Sequence, residues 1–156
     1  MADFRRPPTR SVRCVLPISA EETLLLDSSA ALALMNPGHA LRGAVAERVR
    51  GFRLGLAGHA AYETYSVLTR WPPPHRISAA VAQRVIEANF PATRHLDADH
   101  SSSALAVLAT AGVAAGAVFD GLVALAARAD DQLLITCDQR ALSTYRALGV
   151  RFEILT

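Results

Sequence analysis

The chain contains no lysine: all 16 of its positive side chains are arginines. That absence removes the phosphate-binding lysine of a P-loop nucleotide hydrolase. It also removes the lysine normally used by phosphoacceptor receiver domains and by haloacid-dehalogenase-like phosphatases, which otherwise share an aspartate after a first strand. Every cation that remains is a planar, permanently charged fork suited to phosphate. Cysteine is almost absent too, with only Cys14 and Cys137, far apart and in no C-x-x-C pair. This argues against a disulfide framework or a zinc site and fits a reducing compartment. No apolar run approaches the ~20 residues of a membrane helix. The arginine-bearing first residues carry no apolar block long enough for a signal peptide. A cytoplasmic protein with no membrane association is therefore expected. There is no internal repeat and no low-complexity tract.

What is present is hydrophobic: 51% of 156 residues, with a net charge of only +2. A chain of this length and composition is expected to form one domain with a substantial core. Residues 1–22 read as a flexible N-terminal extension, because Pro7, Pro8 and Pro17 interrupt any regular element. Residues 23–156 then form the folded domain.

Within it, strands and helices alternate. Thr23–Asp27 is a short buried strand running into a helix that ends at Asn36-Pro37-Gly38. A helix follows over His39–Arg50, then a strand over Arg53–Ala57. His59–Trp71 is a helix stopped by Pro72-Pro73-Pro74. Ser78 caps Ala79–Asn89, Thr93–Leu96 is a weak third strand, and Asp97 or Asp99 caps a helix to about Thr110. Ala117–Ala129 is the most apolar helix. A buried strand over Leu133–Thr136, a helix over Gln139–Leu148 and a last strand over Val150–Leu155 complete the chain. The pattern predicts an α/β fold of three layers, α/β/α, with a central, mainly parallel sheet of four to five strands and right-handed crossovers.

Four carboxylates stand out. Asp27 and Asp138 each follow a strand and precede a helix. Capping alone would explain such an aspartate, but ligand sites also lie beyond the carboxyl ends of parallel strands. Glu63 has Ala60 and Val67 as its neighbours one turn away, so it lies on a small apolar stripe, with Arg70 two turns on as a possible partner. Asp120 is flanked at helical spacing by Ala117, Val123, Ala124 and Ala127. An unpaired carboxylate on that inward face would cost several kcal/mol. A helix N-terminus returns only about 0.3–1 kcal/mol at an exposed site. If the four converge, their mutual repulsion calls for a hard divalent cation, Mg²⁺ or Mn²⁺, and such sites act on phosphates. The other acids read as surface groups or caps, with Asp130 and Asp131 left between surface and site. Tyr62, Tyr65 and Trp71 read as core or interface residues in preference to base-stacking platforms.

The ordered motifs Leu-Leu-Asp27-Ser28-Ser29-Ala, His59-Ala-Ala-Tyr-Glu63-Thr, Gly-Ala-Val-Phe-Asp120-Gly-Leu-Val-Ala and Leu-Leu-Ile-Thr136-Cys-Asp138-Gln-Arg-Ala together resemble PIN-domain ribonucleases. Within these the chain is most similar to VapC-type toxins of bacterial toxin–antitoxin pairs. The resemblance spans roughly residues 23–155. It implies Mg²⁺-dependent endoribonuclease activity, inhibition by a cognate antitoxin protein, an RNA substrate and commonly a homodimer. The catalytic and metal-ligating quartet would be Asp27, Glu63, Asp120 and Asp138, with Ser28 and Thr136 as supporting hydroxyls. Two departures from the family pattern are the long N-terminal extension and Gly121, which stands where alanine is usual and would loosen the helix start by up to ~1 kcal/mol.

Arg70, Arg76, Arg140 and Arg146 flank these elements and are candidate RNA-backbone contacts. The apolar stretches Ala30–Met35 and Leu41–Val49 are candidates for an antitoxin groove or for plain core. Two other readings stay open: a PIN-fold nuclease acting on other nucleic acid, or a catalytically silent RNA- or protein-binding module whose acids are caps.

Overall fold

The computed structural model describes residues 22–156; the expected N-terminal extension lies outside the described residues, apart from Glu22. Four strands form one sheet: β1 (Thr23–Leu26), β2 (Arg53–Leu56), β3 (Leu134–Thr136) and β4 (Phe152–Ile154). Their order is β2-β1-β3-β4, and every pair is parallel. Leu24, Leu25 and Leu26 are buried, as expected of a strand covered on both faces. Each such side chain contributes about 1.5–3 kcal/mol by leaving water.

Seven α-helices connect and flank the strands: α1 (Ser28–Met35), α2 (Arg42–Arg48), α3 (Ala60–Arg70), α4 (Ala79–Asn89), α5 (Ala98–Thr110), α6 (Ala117–Ala129) and α7 (Leu142–Ala147). They pack in two groups. In the first, α1 lies against α2 and α3, and α3 against α4; in the second, α6 lies against α5 and α7. Right-handed crossovers between parallel strands carry such groups to opposite faces of the sheet. The inner faces are built largely from alanine: Ala30, Ala31 and Ala33 on α1, and Ala124, Ala126 and Ala127 on α6, are all buried. Small side chains let these helices approach the sheet closely. This α/β architecture is the one expected from the sequence.

Some boundaries differ. Thr93–Leu96 is not a strand; it makes one parallel bridge, Arg94 to Ala57. The reason is local. Thr93 Oγ1 accepts the Leu56 N–H at 3.1 Å and donates to Phe90 O at 2.8 Å, so a side chain replaces a rung of the ladder. The helix expected from His39 begins at Arg42, because His39 Nδ1 accepts the Leu41 N–H at 3.1 Å and holds the chain in a turn. The helix expected over Gln139–Leu148 opens as a 3-10 turn, Gln139–Ala141, before α7. Ser78 and Asp97 cap α4 and α5, accepting from Val81 N and His100 N.

The sheet order sets the location of any ligand. From β1 the chain moves outward to β2, then returns across the sheet to β3 on the other side of β1. The order reverses between β1 and β3, and in open α/β sheets the crevice beyond the carboxyl ends at that reversal is where ligands bind. Asp27 follows β1 and Asp138 follows β3 by two residues. Gly58, at φ +51°, turns the chain from β2 into α3; a Cβ there would stand 2.8 Å from Ala126 Cβ. That close approach seats the start of α3 against α6. Among the described residues no helix is long and apolar enough to cross a membrane.

Candidate active site

Asp27 is the fixed point. It is the N-cap of α1 and only 4% exposed. Its Oδ1 accepts from Ser29 Oγ at 2.6 Å and from Ala30 N at 2.9 Å. Its Oδ2 accepts from Thr136 Oγ1 and, at 3.1 Å, from Tyr145 Oη. Four donors match the roughly four lone-pair positions of a carboxylate. Burial raises the Asp27 pKa above the ordinary value, and the bonds from Ser29, Thr136, Ala30 and Tyr145 oppose it.

The two hydroxyls also receive bonds. Cys137 N donates to Ser29 Oγ at 2.8 Å, and Asp138 N donates to Thr136 Oγ1 at 3.0 Å. Asp27 is thus tied through Ser29 and Thr136 to the backbone that carries Asp138. The Tyr145 phenol is kept protonated by burial and by the negative Asp27 beside it. The Cys137 thiol is pushed up to about 11, chiefly by burial, so it remains a neutral thiol near pH 7.

Glu63 and Asp120 occupy the first turns of α3 and α6, where the helix dipole favours negative charge. Neither helix has a side-chain N-cap. Glu63 Oε2 accepts from Ser28 Oγ at 2.6 Å, which links it to the residue beside Asp27. Arg70 does not pair with Glu63; its Nε donates to Ser66 O at 3.1 Å. Asp120 is half-buried. Its pKa is raised first by burial and then by the negative charges of Asp138, Glu63 and Asp27, with Arg140 opposing. Asp120 therefore lies within electrostatic reach of the other three carboxylates.

Asp138 has a counter-ion already. Arg140 Nε and Nη2 donate to its two oxygens at 3.0 and 2.8 Å, and Arg140 N donates to Oδ1 at 2.8 Å. Its pKa is lowered, mainly by the Arg140 side-chain bonds. Among the described residues no group of three or more His, Cys, Asp or Glu side chains is arranged to hold a metal in this conformation. The hydrogen bonds account for this. Asp27 has its acceptor positions filled, Glu63 is held by Ser28, and Asp138 is held by Arg140. The chemistry of the donor set nevertheless fits a hard cation: all candidate donors are carboxylate or hydroxyl oxygens.

Of the candidate RNA contacts, Arg140 is the one beside the acids. Arg70 and Arg76 lie near the end of α3, with Arg76 Nε donating to Trp71 O at 3.0 Å. Arg146 lies over the Phe152 ring at 5.7 Å, at the amino end of β4 and so toward the opposite edge of the sheet. Asp130 and Asp131 pair with Arg94 and Arg151. Tyr62 and Tyr65 are not core residues: they are 63% and 38% exposed. A cleft of about 390 Å³ runs beside the site, with Leu32, Leu41, Trp71, Asp138 and Arg140 on its walls. Most of α1 and the buried Val45 and Val49 of the next segment belong to the core.

Sequence reasoning missed two members of the Asp27 network. Ser29 carried a signal, standing two residues after the cap where a hydroxyl folds back readily. Tyr145, 118 positions away along the chain, carried none. The Gly121 expectation also changes. Gly121 is buried, and a Cβ there would lie 2.4 Å from Leu108 Cδ2 and 3.3 Å from Val113 Cγ1. The missing side chain lets α5 pack against the first turn of α6.

This parallel α/β fold, with Asp27 and Asp138 beyond the carboxyl ends of β1 and β3, falls in a known class. A model of the PIN domain matches residues 24–147, and the chain belongs to the PIN-domain family. Two named relatives narrow the class. Ribonuclease VapC40 of Mycobacterium tuberculosis is 45% identical over 103 residues, covering 65% of this chain and 76% of that protein. Ribonuclease VapC27 of Mycobacterium tuberculosis is 39% identical over 131 residues, covering 84% of this chain and 96% of that protein. Among solved structures, VapBC2 from Rickettsia felis bound to a promoter DNA fragment has the same fold. Its matched chain aligns at a TM-score of 0.62 with 12% identity, over 86% of this chain and 99% of that one.

Proposed function

We propose that this protein is a Mg²⁺-dependent endoribonuclease, with Mn²⁺ as a possible substitute, and the toxin of a toxin–antitoxin pair. The observation that supports the reading is the hydrogen-bonded framework that ties Asp27 through Ser29 and Thr136 to the backbone of Asp138, and Glu63 to Ser28 beside Asp27, with Asp120 close enough to feel all three acids. Four negative groups crowded together are tolerable at neutral pH only with a cation among them. The names of the two ribonuclease relatives support RNA as the substrate. A cytoplasmic location, a homodimer and a cognate antitoxin belong to the same proposal.

Asp27, Glu63, Asp120 and Asp138 would hold the ion, directly or through water. When bound, Mg²⁺ supplies Lewis-acid polarisation of a phosphodiester and lowers the pKa of a water. The protein's own groups supply placement. Thr136 and Ser29 orient Asp27, Ser28 orients Glu63, and Arg140 neutralises Asp138 until an ion or a phosphate draws it away. No side chain is the nucleophile; hydrolysis breaks a P–O bond with water as the attacking group. Arg140, with Arg70 and Arg76 near the end of α3, is proposed to contact the RNA backbone; Arg146, at the amino end of β4, lies away from the acids.

The test is a digest of single-stranded RNA beside DNA of the same sequence, with Mg²⁺, Mn²⁺ or EDTA. RNA cleavage that requires the metal and is lost in Asp120→Asn is expected. DNA cleavage in place of RNA cleavage would assign the other nuclease reading. A silent module is favoured by one observation, the capping and pairing already made by Asp27 and Asp138. Thermal stability unchanged by Mg²⁺ or Mn²⁺, together with intact RNA, would select it.

A further inference from the structure

Beside the carboxylates runs a row of rings that the metal chemistry does not use. His59 and Phe119 stack with centroids 4.8 Å apart and planes inclined by 21°. His59 and Tyr62 lie 6.3 Å apart at 51°, and Tyr62 and His95 lie 5.7 Å apart at 44°. The row therefore joins the start of α3, the segment before α5 and the start of α6. Its two largest members are open to solvent: Tyr62 is 63% exposed and Phe119 is 54% exposed. Ordinary core packing would have covered them.

Their positions in the chain matter as much as their exposure. Tyr62 precedes Glu63, and Phe119 precedes Asp120. Successive residues leave an α-helix roughly 100° apart. Each ring thus flanks, at the same helical level, a carboxylate proposed above to hold the ion that meets the phosphate. The two imidazoles and the phenol add hydrogen-bonding edges to the apolar faces. Exposed ring faces with polar edges, one residue from a phosphate-directed group, match an unpaired nucleobase.

We propose that His59, Tyr62, His95 and Phe119 form a platform on which an unpaired base next to the scissile phosphate stacks. This rests on the ribonuclease reading. It makes the preference for single-stranded RNA a property of the rings and leaves the bond cleavage to the carboxylates. Stacking tolerates every base, so the platform selects strandedness more than sequence.

The experiment uses the full chain and a short single-stranded RNA containing 2-aminopurine, in EDTA so that the strand is bound and not cut. Wild type is expected to quench the fluorescence. Phe119→Leu and Tyr62→Leu keep apolar bulk and lose the π face. Each should weaken binding about tenfold and relieve the quenching. Phe119→Trp should restore both, and the Mn²⁺ affinity of all variants should match wild type. Equal quenching and affinity in the leucine variants would overturn the platform. So would a shift of those variants to a smaller species in sedimentation with RNA binding unchanged, which would make the rings a contact between copies of the chain. RNA that wild type binds in EDTA without quenching, and cuts once Mg²⁺ is added, removes the platform alone. RNA that is neither bound in EDTA nor cut with Mg²⁺ removes the ribonuclease reading beneath it.

Discussion

Asp27 and Asp138 follow strands, while Glu63 and Asp120 open helices, and the two pairs are held differently. The strand-end pair is embedded in a lattice of backbone and hydroxyl donors that spans β1 and β3. The helix pair is carried by rigid-body packing: Gly58 seats α3 on α6, and Gly121 lets α6 approach α5. A carboxylate fixed by its own hydrogen bonds contributes to folding as well as to chemistry. One delivered by a helix can be changed with little effect on the fold. Stability and activity should therefore separate in the helix pair and fall together at Asp27.

The sharpest break of this contrast is Asp27→Ala. It leaves the donors of Ser29, Ala30, Thr136 and Tyr145 without an acceptor, and each buried donor so stranded costs about 1–3 kcal/mol. Relief of a buried charge offsets part of this. A net loss of roughly 3 kcal/mol in denaturant unfolding is expected, with no RNA cleavage. A fully stable Asp27→Ala protein would show that the lattice does not hold the strand ends together.

Asp120→Asn comes next. Cleavage should disappear while the metal-free protein becomes no less stable. The pH dependence follows from the raised Asp120 pKa. Its folded value lies above its unfolded value, so the protonated form is the one folding favours. That contribution is complete below about pH 4 and is lost as pH rises through the raised value. Melting temperatures in EDTA should therefore show Asp120→Asn gaining on wild type as pH rises from about 4 to 7. A constant gap across that range would mean that neither burial nor the neighbouring acids raise Asp120.

Thr136→Val tests the relay. It removes the donor to Asp27 and the acceptor of Asp138 N while keeping the β-branched shape. Partners that orient metal ligands typically account for about 10–100-fold in affinity or activity. Cleavage should fall within that range, and Mn²⁺ titration should show the weakened binding. Unchanged affinity and rate would restrict Thr136 to packing.

The smallest effect is expected at Gly121. Helix propensity alone predicts a gain of up to about 1 kcal/mol for Gly121→Ala. The contact with Leu108 predicts a loss of at least about 1 kcal/mol, the usual cost of overpacking a core. Unfolding curves decide the sign, and a stabilised variant would show that Leu108 yields freely.

Much of this was visible along the chain. Thr23–Asp27 and Leu133–Thr136 read as strands from their apolar runs, and Ser78 announced its helix as a cap, while Asp97 and Asp99 were equal candidates until the structure gave the role to Asp97. The boundaries at His39, Thr93 and Gln139 were not visible, because in each a polar side chain or a tighter turn competes with the backbone ladder. Asp27 and Asp138 were ambiguous between cap and site. Structurally each is a cap, and a cap at the carboxyl end of a parallel strand also lies at the rim of the crevice, so the two roles coincide in position.

The amino-acid order alone determined which stretches form the strands and most of the helices, and that Asp120 on an apolar face needed a reason to be there. These follow from short-range periodicity and from the cost of burying charge. Only tertiary structure decided that Tyr145 would reach Asp27, that Arg140 would close on Asp138, and that Tyr62 and Phe119 would stay in water. Those outcomes depend on how the helices seat against the sheet, and that seating is the summed packing of side chains distant in the chain.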